Sequence, residues 1–92
     1  MRRILNLVRS NNFQLAFFVV QDSDTNTMEV WLCNPSNNRE NVHCHTFPFV
    51  ATDNDRARAQ RHAKSLAWAL SRLSVPEALR QLDHLKEHGS LV

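Results

Sequence analysis

Residues 13–21, Phe13-Gln14-Leu15-Ala16-Phe17-Phe18-Val19-Val20-Gln21, decide the fold. Aromatic and β-branched side chains fit a pleated, packed surface better than a helix. Successive side chains on a strand alternate between its faces. Phe13, Leu15, Phe17 and Val19 therefore point one way, and Gln14, Ala16, Phe18 and Val20 the other. The longest wholly apolar stretch, Leu15 to Val20, is far short of the roughly 20 residues that span a bilayer.

The flanking segments extend this strand into a sheet. Asp22 to Thr27 is a polar turn without glycine, so Asp24 or Asn26 must supply any left-handed residue. Met28 to Cys33 reads as a second strand, completing a hairpin. Asn34 to Asn41 is an asparagine-rich loop containing Pro35. Val42 to Val50 reads as a third strand, with Pro48 placing its end at an edge or bulge. Upstream, residues 3–9 read either as a short helix or as a strand. Ile4, Leu7 and Val8 fit one helical face, and Ser10-Asn11-Asn12 breaks the segment.

Composition shifts near Asp53, from β-branched residues and asparagine to Ala, Leu, Arg and His. The second half therefore reads as helix. Asp53 or Asp55 is the expected N-cap, and the helix runs to Ser71 or Arg72. Ala59, Ala63, Leu66, Leu70 and Leu73, flanked by Ala67, form the stripe expected to cover the sheet. Ser74-Val75-Pro76-Glu77 is a stop-and-restart signal: Ser74 caps, Glu77 completes a capping box, and Pro76 is tolerated in a first turn. The last helix runs to His88, with Leu79, Leu82 and Leu85 as its apolar stripe. Gly89 stands where a left-handed residue closes a helix, and Leu91 follows it. The expected fold is α+β and a single domain over residues 1–92. It is a three-stranded antiparallel meander followed by two C-terminal helices packed on it.

Composition excludes several kinds of chemistry. The 92 residues include one glycine, so phosphate-cradling loops and dinucleotide fingerprints cannot be built. A nucleophile elbow, with glycines around its serine, is excluded too. Two cysteines make no disulfide framework, and Cys33 and Cys44 read as free buried thiols, with a cross-strand bridge as the alternative. Asn6 and Arg9 interrupt any signal-peptide apolar region, so a cytoplasmic location is expected. His43 and His45, two apart on a strand, share a face in this reading, with Cys44 opposite. Zinc needs a third and usually a fourth ligand, so no metal or other cofactor is expected. His84 and His88, with Asp83 and Glu87, read as a solvated face. No catalytic constellation emerges, and no small-molecule substrate is expected.

The helix over 53–72 has a second face. Arg61, Lys64, Trp68 and Arg72 fall within about 80° of one another, opposite the apolar stripe. Arg56 and Arg58 add positive charge in the first turn. Either the last helix folds over Trp68, or Trp68 is exposed among cations, a composition enriched at interaction hot spots.

Two strands, Cys44-His45-Thr46-Phe47, and a helix ending Leu66-Ala67-Trp68-Ala69-Leu70 resemble the C-terminal part of a phosphotyrosine-binding (PTB) domain, over residues 13–72. The resemblance implies a groove between helix and strand that takes a peptide as an added strand. Arg61-His62-Ala63-Lys64 is more faintly similar to the basic signature of double-stranded RNA-binding domains, whose order is helix, three strands, helix. That likeness implies shape-based phosphate contact through Arg56, Arg58, Arg61 and Lys64.

Three function classes follow. The first is a non-catalytic protein-interaction protein whose partner, a protein or protein complex, presents an acidic surface. Its size and lack of chemistry suit a small binder or inhibitor of the kind phages and mobile elements make against host complexes such as CRISPR effectors. The second is a PTB-like peptide-recognition module. The third is a nucleic-acid binder. No membrane partner is expected.

Overall fold

A computed structural model describes residues 1–10, 15–33 and 41–89 of the chain. The element order is β1 (Arg2–Arg9), β2 (Ala16–Asp22), β3 (Thr27–Cys33), β4 (Asn41–Pro48), α1 (Asp53–Ser71) and α2 (Val75–His88). The fold is α+β, with an antiparallel sheet followed by two helices. The sheet has four strands in the order β1-β2-β3-β4, not three.

The additional strand is residues 2–9, the segment with two readings. β1 pairs antiparallel with β2, Ile4 opposite Val20 and Leu7 opposite Phe18, with a register shift between Ile4 and Asn6. That bulge places one extra residue in β1. It interrupts the two-residue alternation, and Ile4, Leu7 and Val8 acquire a spacing that imitates a helix. Asn26, with φ of 52°, supplies the left-handed residue of the β2–β3 turn. The strand start at Phe13, the loop over residues 34–40 and the Leu91 contact lie outside the described residues.

α1 crosses one face of the sheet. Phe17, Val19, Met28, Val30 and Leu32 from the strands meet Ala59, Ala63, Ala67 and Leu70, all essentially inaccessible to solvent. The buried stripe of α1 is rotated from expectation: Ala67 and Ser71 are buried, while Leu66 and Leu73 lie at the margin. Three alanines spaced four apart let the helix axis approach the large strand side chains closely.

Thr52, not an aspartate, caps α1: its side chain accepts from the Asp55 backbone N–H. Asp55 is used elsewhere, its carboxylate accepting from the Val50 N–H at 2.6 Å and from Arg58 Nε at 2.7 Å. Ser74 caps α2 and accepts from the Glu77 N–H. Gly89, with φ of 74°, closes α2 in the left-handed region. α2 buries Ala78, Leu82 and Leu85, and Leu79 is exposed, so Ala78 takes the place expected for Leu79. Ala78 and Leu82 are one turn apart on the same side as Leu85, whereas Leu79 lies about 100° away from Ala78.

Candidate interaction site

The outer face of α1 carries most of the expected site. Trp68 is 55% exposed, so α2 does not cover it. Arg61, Lys64, Ser65 and Trp68 line one shallow depression on this face. Arg72, exposed at the C-cap of α1, extends it. No ion pair engages Arg61, Lys64 or Arg72 among the described residues.

The two cations nearest the start of α1 are each paired within the helix. Arg56 donates to Asp53 Oδ1 at 3.0 Å and Arg58 to Asp55 Oδ1 at 2.7 Å, each across three residues of helix. These pairs offset positive charge at the end of the helix where it is unfavourable. The Arg58 guanidinium holds the Asp55 carboxyl below its usual range, helped by the Val50 N–H. Arg56 also points elsewhere, toward a hollow lined by Gln21, Asn26 and Phe49 at the turn end of the sheet. The expected cluster of six is thus a patch of Arg61, Lys64, Trp68 and Arg72, bordered by a paired Arg58, with Arg56 outside it.

The candidates for nucleophilic or metal chemistry are dispersed. The register shift between Val30 and Trp31 sets His43 opposite Trp31 and His45 opposite Val30. Cys44 is the extra residue, and His43 and His45 point to opposite faces, contrary to simple alternation. His43 meets the Trp31 ring edge-on at 5.1 Å and is hydrogen-bonded to Thr46 Oγ1 at 2.6 Å. His45 stacks edge-on against Phe47 at 4.7 Å, and burial, with the nearby His43 as a lesser cause, lowers its pKa. Among the described residues no three His, Cys, Asp or Glu side chains gather in a group able to hold a metal ion. Both cysteines are free. Cys44 lies in the core, where burial pushes its thiol up to about 12. Cys33, contrary to expectation, is only half-buried, because it ends β3 beside Asn41 on the face that α1 does not cover.

A second surface was not anticipated. The strand registers place Ile4, Val20, Glu29 and Thr46 in one row across the uncovered face, and Leu7, Phe18, Trp31 and His43 in the next. Ile4 is 62% and Leu7 48% exposed. At one end of this face Arg2 bonds Glu29 Oε1 at 3.1 Å and approaches Asp22 Oδ2 at 3.5 Å. The Trp31 indole N–H donates to the same Glu29 oxygen at 3.0 Å. The signal for this surface was present in Phe17-Phe18-Val19-Val20, four apolar residues of which only two can face α1.

No described helix is long and apolar enough to cross a membrane. Compared with protein-family models, with curated proteins and with solved structures, the chain matches none.

Proposed function

We propose that the protein is a non-catalytic binding protein that engages an acidic surface of a protein or protein complex through the outer face of α1. The observation that carries this reading is the exposed Trp68 beside Arg61 and Lys64. Among the described residues no ion pair engages those two cations, while Arg56, Arg58 and Arg80 are each paired with a carboxylate. Trp68 stands outside the core, with more than half of its surface in solvent. Tryptophan and arginine are the residues most enriched where binding energy concentrates. Free cations around it steer an anionic partner and disfavour a basic one.

On this reading the protein is an inhibitor that works by occupying a surface, of the kind mobile elements direct against cytoplasmic host complexes such as CRISPR effectors; the exposed Trp68 and the cations beside it support the reading.

The test is affinity for a purified CRISPR effector complex by interferometry, at two salt concentrations. Trp68→Ala is expected to weaken binding by about 2 kcal/mol, roughly thirty-fold. Arg61→Glu with Lys64→Glu is expected to slow association and flatten its salt dependence. Unchanged affinity in both variants would contradict the reading. Equal affinity for a bare RNA duplex, falling steeply with salt, would favour nucleic-acid binding through the same helix instead.

A further inference from the structure

We infer that the partner's contacting element is an acidic α-helix, laid lengthwise along the outer face of α1 with one carboxylate side chain seated over Ser65. It rests on the reading of that face as the binding surface and names what lies on it.

Asn54, Ala57, Arg61, Lys64 and Trp68 are all exposed on α1. Their positions step alternately by three and four residues, the spacing that keeps one side of a helix turned toward a second helix. Arg72, also exposed, carries the stripe onward. Arg61 to Arg72 covers about 16 Å of the helix axis. A straight, narrow stripe several turns long matches the side of another helix.

The depression on this stripe is lined by Arg61, Lys64, Ser65 and Trp68. Those residues stand at i, i+3, i+4 and i+7, a diamond of neighbours on the helix surface. Such a diamond of four is the hole that receives one side chain of a facing helix. Ser65 is its short member. Ser65, Trp68, Ala69 and Arg72 form the next diamond along, with Ala69 as a second short member.

Charge decides what enters. The guanidinium, the ammonium and the indole N–H are groups that only donate. Among the described residues no carboxylate pairs with Arg61 or Lys64, and neither the Ser65 hydroxyl nor the Trp68 indole N–H has a hydrogen-bond partner. Ser71, by contrast, donates its hydroxyl to the Trp68 carbonyl at 2.8 Å. The side chain that fits the first diamond is therefore an anionic acceptor, a glutamate. Trp68 and Ala69 suit an apolar residue one turn on, and Arg72 a second carboxylate beyond it.

Other occupants fit less well. α1 of a second copy would bring the same cations against these. A lone phosphate is held by cations that converge on it, whereas these are strung along the axis with Trp68 between them. A nucleic-acid duplex presents phosphates and keeps its bases stacked inside, leaving Trp68 without an apolar counterpart.

The experiment is an NMR titration of the whole 15N-labelled chain, following the Trp68 indole N–H. The probe is an alanine-rich helical peptide of about twenty residues, long enough to hold a helix, with Glu, Leu and Glu on successive turns of one face. Its binding is expected to saturate below ~1 mM. A proline at the peptide's centre, which breaks the helix, is expected to weaken binding about ten-fold. Ser65→Leu fills the depression and leaves Arg61, Lys64 and Trp68 in place. It is expected to weaken binding about ten-fold with an unchanged circular dichroism spectrum, whereas Ser65→Ala stays within about three-fold of wild type. No shift up to ~1 mM, equal binding of the proline peptide, equal binding by Ser65→Leu, or tighter binding of a single-stranded oligonucleotide would overturn the inference. Failure of the surface reading itself shows separately, as unchanged affinity of Trp68→Ala for the effector complex.

Discussion

The Arg2 guanidinium carbon lies 5.4 Å from the centre of the Trp31 ring, and both side chains hydrogen-bond Glu29 Oε1. One carboxylate thus ties the edge strand β1 to the third strand across β2. Glu29 is only 5% exposed, although no helix covers it. Its neighbours on the sheet supply the burial, and two donors satisfy the charge.

Removing the carboxylate leaves the indole N–H without its acceptor and the guanidinium with only the longer contact to Asp22 Oδ2 at 3.5 Å. Glu29→Ala is expected to destabilise the fold by about 1–3 kcal/mol, read from urea unfolding. Glu29→Gln retains an acceptor and is expected to cost less. Equal losses in the two variants would mean that the hydrogen bonds contribute little.

The two cysteines differ in access. Cys33 is half-buried on the uncovered face, whereas Cys44 sits in the core with its thiol held protonated. A thiolate-selective reagent at neutral pH is expected to titrate one thiol in the native protein and two in denaturant. Rapid reaction of both in the native state would contradict the assigned core position of Cys44.

Stability is expected to fall on acidification in two stages. Burial lowers the His45 pKa from its ordinary 6.5. Below that value the unfolded chain takes a proton that the folded chain resists, so stability decreases as pH drops. Asp55, Glu77 and Asp22 are also lowered, by Arg58, by Arg80 and by the Asp24 backbone N–H respectively. Their contribution is present above the ordinary carboxylate range and is lost as pH falls below it through the lowered values of the folded state. Thermal melts between about pH 7 and pH 3 check both stages. His45→Gln is expected to remove only the first.

Gly89 closes α2 with a φ of 74°, and a Cβ placed there would meet no atom within 4 Å. Gly89→Ala is therefore expected to cost about 1 kcal/mol through backbone conformation alone. Gly89→Asn, which tolerates the left-handed region, is expected to cost less. Chemical unfolding of the two variants distinguishes them.

Local chemistry was the legible part of this chain. The β2–β3 hairpin, a turn with Asp24 or Asn26 as its left-handed residue, the Ser74 cap and the Gly89 stop all follow from side chains acting on their own backbone. The errors arose where the register of a neighbouring strand decides. A bulge near Leu5 left residues 3–9 readable as either helix or strand, so β1 was not counted in the sheet, and another at Cys44 sent His43 and His45 to opposite faces. Arg56 and Arg58 looked like members of the basic patch until Asp53 and Asp55 were seen to engage them. The angular reading of α1 did locate Trp68 and the free cations, because a single straight helix fixes those directions without reference to its neighbours. The uncovered sheet face needed the four-strand register before Ile4, Leu7, Phe18 and Trp31 formed one surface.

The most direct test of the binding reading is affinity capture from the native host. Tagged wild-type chain is compared with Arg61→Glu/Trp68→Ala and with Ile4→Glu/Leu7→Glu after nuclease treatment. The account predicts a stoichiometric protein partner retained by wild type and by the Ile4/Leu7 variant, and lost from the Arg61/Trp68 variant. Retention of that same partner by Arg61→Glu/Trp68→Ala, or recovery that vanishes with nuclease, would contradict it.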